Sequence, residues 1–65
     1  MKTDWAKLDG KVFRSAAEIG IRSIAKQPGY RRGQDMSIRK TTTGGYRLYV
    51  LVAGKWMDAS LQDLA

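Results

Sequence analysis

Apolar and polar positions change rhythm once along this chain. From Ala16 to Lys26, the residues Ala16, Ala17, Gly20, Ile21, Ile24 and Ala25 fall on one half of a helical wheel. Glu18, Arg22, Ser23 and Lys26 fall on the other half, with Ile19 as the one misfit. This spacing predicts an amphipathic helix of about three turns. Ser15-Ala16-Ala17-Glu18 reads as its capping box, and Pro28-Gly29 as its stop.

Beyond residue 35 the period becomes two. Three strands are expected at about 36–43, 46–52 and 55–59, rich in Thr, Tyr, Val, Ile and Trp. Gly44-Gly45 suits a two-residue hairpin turn, and Ala53-Gly54 offers a second. With both loops of that length, Thr41 faces Leu48, Arg39 faces Val50, Val50 faces Met57 and Leu48 faces Ala59. Alternation then assigns Leu48, Val50, Val52, Met57 and Ala59 to a face packed on the helix. Ile38, Lys40, Arg47, Tyr49, Leu51, Trp56 and Asp58 gather on the other. Ser60 to Ala65 reads as one short helical turn.

The N-terminal stretch supports two readings. Asp9-Gly10 fits a hairpin turn between Trp5–Leu8 and Lys11–Arg14; alternatively Thr3 or Asp4 caps a short helix that carries Trp5 and Leu8, followed by an extended link. The second is preferred. The expected architecture is therefore α+β: a small single domain over residues 1–65, with a three-stranded antiparallel sheet packed against one main helix.

Size and composition narrow what such a domain can do. A chain of 65 residues buries only about 60% of the surface that its unfolded form exposes. Disulfides, a structural metal or oligomerisation usually support domains this small. Cys and His are both absent, so no disulfide and no zinc site is expected, and homodimerisation is the support left open. No cofactor is implied. MKTDWAKLDG has no apolar signal-peptide core, and the longest apolar run, Leu48 to Ala53, is too short to span a bilayer. The expectation is a cytoplasmic protein with no membrane partner.

The net charge of +6 is segregated. Residues 1–10 and 41–65 are each balanced, so the whole excess lies in residues 11–40. There Lys11, Arg14, Arg22, Lys26, Arg31, Arg32, Arg39 and Lys40 face only Glu18 and Asp35. Charge concentrated in this way attracts polyanions. Within it, QPGYRRGQD places Arg31 and Arg32 after a turn, where guanidinium forks match phosphate geometry and Tyr30 is placed to stack on a base. The competing reading of that stretch is a solvated connection that needs Pro and Gly for geometry alone. Arg22 and Lys26, four apart, would extend the ridge together with the loop, although for the helix alone a solvent-facing stripe with a Glu18–Arg22 pair is the favoured account.

A second candidate is the sheet face with Tyr49, Trp56, Arg47 and Lys40, whose mixture of aromatics and cations suits single-stranded bases or a protein hot spot. Against it, Trp5, Leu8 and Phe13 need a surface to cover, and this face is the available one.

Catalysis is poorly supplied. The commonest general base, His, is missing, and neither a nucleophile motif nor a phosphate-binding loop is present. The order helix, three strands, final helix resembles that of the double-stranded RNA-binding domain. Yet Leu61-Gln62-Asp63-Leu64-Ala65 supplies neither the length nor the lysines of that family's last helix. A helix followed by a hairpin also resembles a winged helix, without its recognition-helix pair. No family is assigned.

The sequence thus points to non-catalytic nucleic-acid binding, DNA ahead of RNA, through Arg31 and Arg32 with Arg22, Lys26, Arg39, Lys40 and Tyr30. The alternative is a small inhibitor or adaptor, of phage or mobile-element type, that docks on an acidic protein surface.

Overall fold

The computed structural model describes residues 3–64. A 3₁₀ turn at Trp5–Leu8 leads into β1 (Val12–Phe13) and α1 (Ala16–Ile19), followed by a second 3₁₀ turn at Arg22–Lys26. Then come β2 (Met36–Lys40), β3 (Tyr46–Val52) and β4 (Lys55–Asp58). The strands form one antiparallel sheet in the order β1-β2-β3-β4. The protein is α+β, with a four-stranded sheet and short helical turns in place of three strands and one main helix.

The extra strand comes from the segment expected as an extended link. Val12 pairs with Ser37 and Phe13 with Met36. Ahead of it, the Gly10 N–H donates to the Ile38 carbonyl at 2.9 Å, and Asp9 accepts from the Lys40 N–H at 3.2 Å. The short helix at Trp5–Leu8 forms as preferred, although Asp4 makes no side-chain cap.

The three-turn helix does not form. α1 stops after Ile19 because Gly20 takes the left-handed conformation (φ 70°), which costs Gly little and ends a helix readily. Ile19 was the misfit on the continuous wheel, and the break resolves it. Ile19 and Ile21 now both pack against the core, and Ile24 is fully buried. Ser15 makes no side-chain cap. Glu18 reaches back to the N–H of Arg14 at 3.1 Å, one residue earlier than a capping box requires.

The β3–β4 register is as expected, with Val50 opposite Met57 and the Ala59 N–H bonded to the Leu48 carbonyl at 2.8 Å. The β2–β3 register is not. Residues 41–45 form a longer loop, closed by the Thr41 N–H on the Gly45 carbonyl at 2.7 Å, so Ile38 rather than Thr41 faces Leu48, and Met36 rather than Arg39 faces Val50. A slip of an odd number of residues exchanges the faces of a strand. Ile38 and Lys40 therefore join Leu48 and Val50 on the first face, while Ser37 and Arg39 move to the second.

The core lies on the first face. Met36, Ile38 and Leu48 are fully buried there, and Trp5, Phe13, Ile24, Val50 and Leu64 complete the cluster. Trp5 and Phe13 thus do not blanket the second face; they pack with Leu48 and Val50. The end of the chain is not helical among the described residues. Ser60 Oγ is buried, accepts from the Leu48 N–H and donates to the Gln62 carbonyl, which bends the segment so that Leu64 returns to the core. No helix among the described residues is long and apolar enough to cross a membrane.

Candidate binding surfaces

The opening arginine loop is pinned rather than loose. Two consecutive turns build it, closed by Tyr30 N–H to the Gln27 carbonyl and Gln34 N–H to the Arg31 carbonyl, both at 3.0 Å. The Gly33 N–H bonds the Arg14 carbonyl at 2.8 Å, the Arg31 N–H points at Met36 Sδ at 3.4 Å, and the Gln34 amide reaches the Leu51 carbonyl at 3.0 Å. Gly29 lies directly against Ala59, so close that a Cβ there would fall on its side chain and carbonyl. Its exposed residues are Pro28, Arg31, Arg32 and Gly33, and of these Arg31 and Arg32 carry charge.

The candidate cations separate into two groups. Arg22 and Lys26, on the second 3₁₀ turn, lead directly into the loop that carries Arg31 and Arg32, and all four are exposed. A 3₁₀ turn has about three residues per turn, so Arg22 and Lys26 no longer share the stripe that an α-helix would give them. Glu18 is occupied with Arg14 and does not pair with Arg22. Lys40 sits at the far end of β2 from this loop. Arg39 lies on the second face. Tyr30 is half-buried against the core, and its hydroxyl accepts the Ala16 N–H at 2.9 Å. That bond fixes the position of the ring.

Carboxylates select different arginines. Among the described residues the ion pairs are made by Arg14 with Asp35 at 2.9 Å, and by Arg47 with Asp58 at 2.8 Å and Asp63 at 3.0 Å. The hydrogen bond that Arg47 donates to Asp58, then the one it donates to Asp63, raises the Arg47 pKa, and the bond donated to Asp35 does the same for Arg14. Burial pushes the Asp58 carboxyl up, but hydrogen bonds from Arg47 and from the backbone of Leu61 and Ser60 outweigh it and hold the group below the usual range. Arg22, Lys26, Arg31 and Arg32 take part in none of these pairs.

The second face carries Val12, Ser37, Arg39, Arg47, Tyr49, Leu51, Trp56 and Asp58. Arg39 lies over the Trp56 ring, 4.7 Å from its centroid, in a cation–π contact. Relative to the sequence expectation Arg39 replaces Lys40 here. Arg47 is neutralised by two aspartates, so the face is aromatic without being strongly basic.

A groove of about 640 Å³ opens on the first face where the core ends. Val50, Val52 and Met57 line it from the sheet, Pro28, Gly29 and Arg31 from the loop, and Leu61 from the C-terminal bend. Val52, Met57 and Leu61 are 46%, 52% and 77% exposed. Leu61 holds a left-handed backbone (φ 62°), a conformation that costs a non-glycine residue about 1–2 kcal/mol. Its N–H is tied to Asp58 Oδ1 at 3.0 Å, so the strained backbone keeps a large apolar side chain out in solvent.

Sequence reasoning placed Val52 and Met57 on the correct face but under a helix, and it did not single out Leu61. No local pattern marked this groove: the spacing predicts about three helical turns, whereas α1 has only four residues and leaves the last rung of the β3–β4 hairpin uncovered.

No protein-family model matches this chain, and neither a curated protein nor a solved structure does.

Proposed function

We propose that this protein is a non-catalytic nucleic-acid binder that grips phosphates with Arg22, Lys26, Arg31 and Arg32, with DNA preferred over RNA. One observation carries the reading. These four exposed cations follow one another on the second 3₁₀ turn and the pinned loop, and no carboxylate is paired with them among the described residues. The remaining charge, net +6 over the chain, adds long-range attraction without fixing a pose. Contacts of this kind position a backbone and carry little sequence choice.

Neutralising four phosphates gives a slope of about −3.6 for log affinity against log salt. The test is fluorescence anisotropy of a labelled duplex titrated at several salt concentrations. Arg31→Ala with Arg32→Ala should weaken all sequences alike and reduce the slope by about 2. Flat salt dependence, or no binding at low salt, overturns the proposal.

A further inference from the structure

We infer that the groove between the arginine loop and the β3–β4 hairpin docks an extended protein segment with apolar anchors and acidic flanks. This goes beyond nucleic-acid binding and does not depend on it.

The floor of the groove comes first. Val52, Met57 and Leu61, with Pro28 beside them, share one apolar lining, whereas the other large apolar side chain left open among the described residues, Val12, lies apart from it on the second face. Scattered exposed apolar residues are ordinary, whereas a set that shares one concave surface can receive a partner's apolar side chains. Met57 adds an adaptable, polarizable contact of the sort found at docking surfaces. The volume lies within the range of about 300–1,000 Å³ in which proteins seat a bound group. Leu61 reinforces the point, because its left-handed backbone holds the side chain at the rim instead of letting it fold inward.

Charge then selects the occupant. Arg31 lines the groove, Arg32 follows it in the chain and Lys55 pairs with the lining residue Val52; all three are exposed, and among the described residues none forms an ion pair. The one acidic residue in the lining, Asp58, is held by Arg47 at 2.8 Å. The groove therefore presents an apolar floor with uncompensated positive charge along its edge. A second copy of this chain is a poor match, since it would bring another +6 onto that edge. A nucleotide base is a poor match as well. No aromatic ring lines the groove, and the Gln34 amide nitrogen, a donor that could read a base edge, is bonded to the Leu51 carbonyl.

The sheet edge fits an extended chain. β4 is the last strand, and the Ala59 N–H bonds inward to Leu48. By the alternation of an antiparallel ladder, the backbone groups of Trp56 and Asp58 point outward. A segment paired there sets every second side chain on the groove side, next to Met57.

The test uses a displayed library of random 12-residue peptides, selected on the immobilised protein and in parallel on the Met57→Ser, Leu61→Ser double variant. Both positions are exposed, so the variant keeps the core intact, and its circular dichroism is recorded to show this. Expected are peptides that pair two or more apolar residues with an excess of Asp and Glu, and that bind the variant at least tenfold more weakly. Arg31→Ala should weaken the same peptides while leaving their apolar requirement in place. Enrichment of nothing over background, of basic or uncharged peptides, or of peptides that bind the variant equally well overturns the inference. So does concentration-dependent dimerisation of the free protein that the double variant abolishes, because a second copy would then be the occupant. Duplex titration of the unmodified protein runs alongside. Loss of duplex binding with peptide selection intact sinks only the nucleic-acid proposal, and the reverse result sinks only this one.

Discussion

Two halves of one sheet face behave in opposite ways. Toward the loop at 41–45, Ile38 and Leu48 are fully buried beneath Trp5, Phe13, Ile24 and Leu64. Toward the Ala53-Gly54 turn, Val52 and Met57 lie about half-exposed. The strands are the same and the residue types are comparable, so intrinsic preference does not separate the halves. The connecting chain does. Two 3₁₀ turns and a four-residue helix cover one half, and the loop at 27–35 then reaches Ala59 through Gly29 and stops. Alternation along a strand marks the face of a residue; what lies over that face is settled elsewhere in the chain.

The sharpest way to break this comparison is to truncate one residue from each half of β3. Leu48→Ala removes a fully buried side chain and should cost about 2–5 kcal/mol. A domain of this size has roughly 3–10 kcal/mol in total, so the variant should lose about half of its stability. Val52→Ala should stay within about 0.5 kcal/mol of the parent. Urea denaturation followed by tryptophan fluorescence measures both. A large loss at Val52 would mean that its half of the face is covered after all.

Gly29→Ala addresses the boundary between the halves. A methyl group at this position meets both the side chain and the backbone of Ala59, and backbone gives way less readily than a flexible side-chain tip. Overpacking of this kind costs about 1–3 kcal/mol. The expected result is a lower denaturation midpoint together with amide shifts concentrated at 27–31 and 57–61. An unchanged midpoint would show that the loop does not rest on Ala59 and that the groove has no fixed wall.

What was legible in the sequence follows the same division. Tyr46–Val52 and Lys55–Asp58 were readable because a two-residue turn leaves the hairpin a single register. The pairing of β2 was not, since two glycines satisfy a tight turn on paper while the folded chain spends residues 41–45 on the reversal, which brings Ile38 into the core. The helix was misread for a related reason. Six small or apolar residues on one side, Gly20 among them, read as one continuous helix, whereas burial of Ile24 together with Ile19 and Ile21 goes with the break that Gly20 supplies. Of the candidate site, the charge of Arg31 and Arg32 was visible, but the apolar floor beside Arg31 was not. That floor exists through contacts distant in sequence, above all Gly29 on Ala59, and no local pattern encodes them.

The smallest expected effect lies at the tip of the bare half and tests how locally it is held. Ala53 and Gly54 both have left-handed backbones, φ 51° and 79°, the pair of conformations that a type I′ turn requires. Alanine pays a steric penalty there that asparagine largely avoids, because a short polar side chain tolerates this region. Ala53→Asn should therefore raise stability by about 0.5–1 kcal/mol, a shift of several degrees in the thermal midpoint for a domain this small. If the bare half depends on its own turn and ladder rather than on the core, the same substitution should slow amide exchange at Val52 and Lys55 more than at Ile38 and Leu48. Equal slowing throughout would instead mean that the hairpin end and the core open together, and that the groove is as rigid as the interior it adjoins.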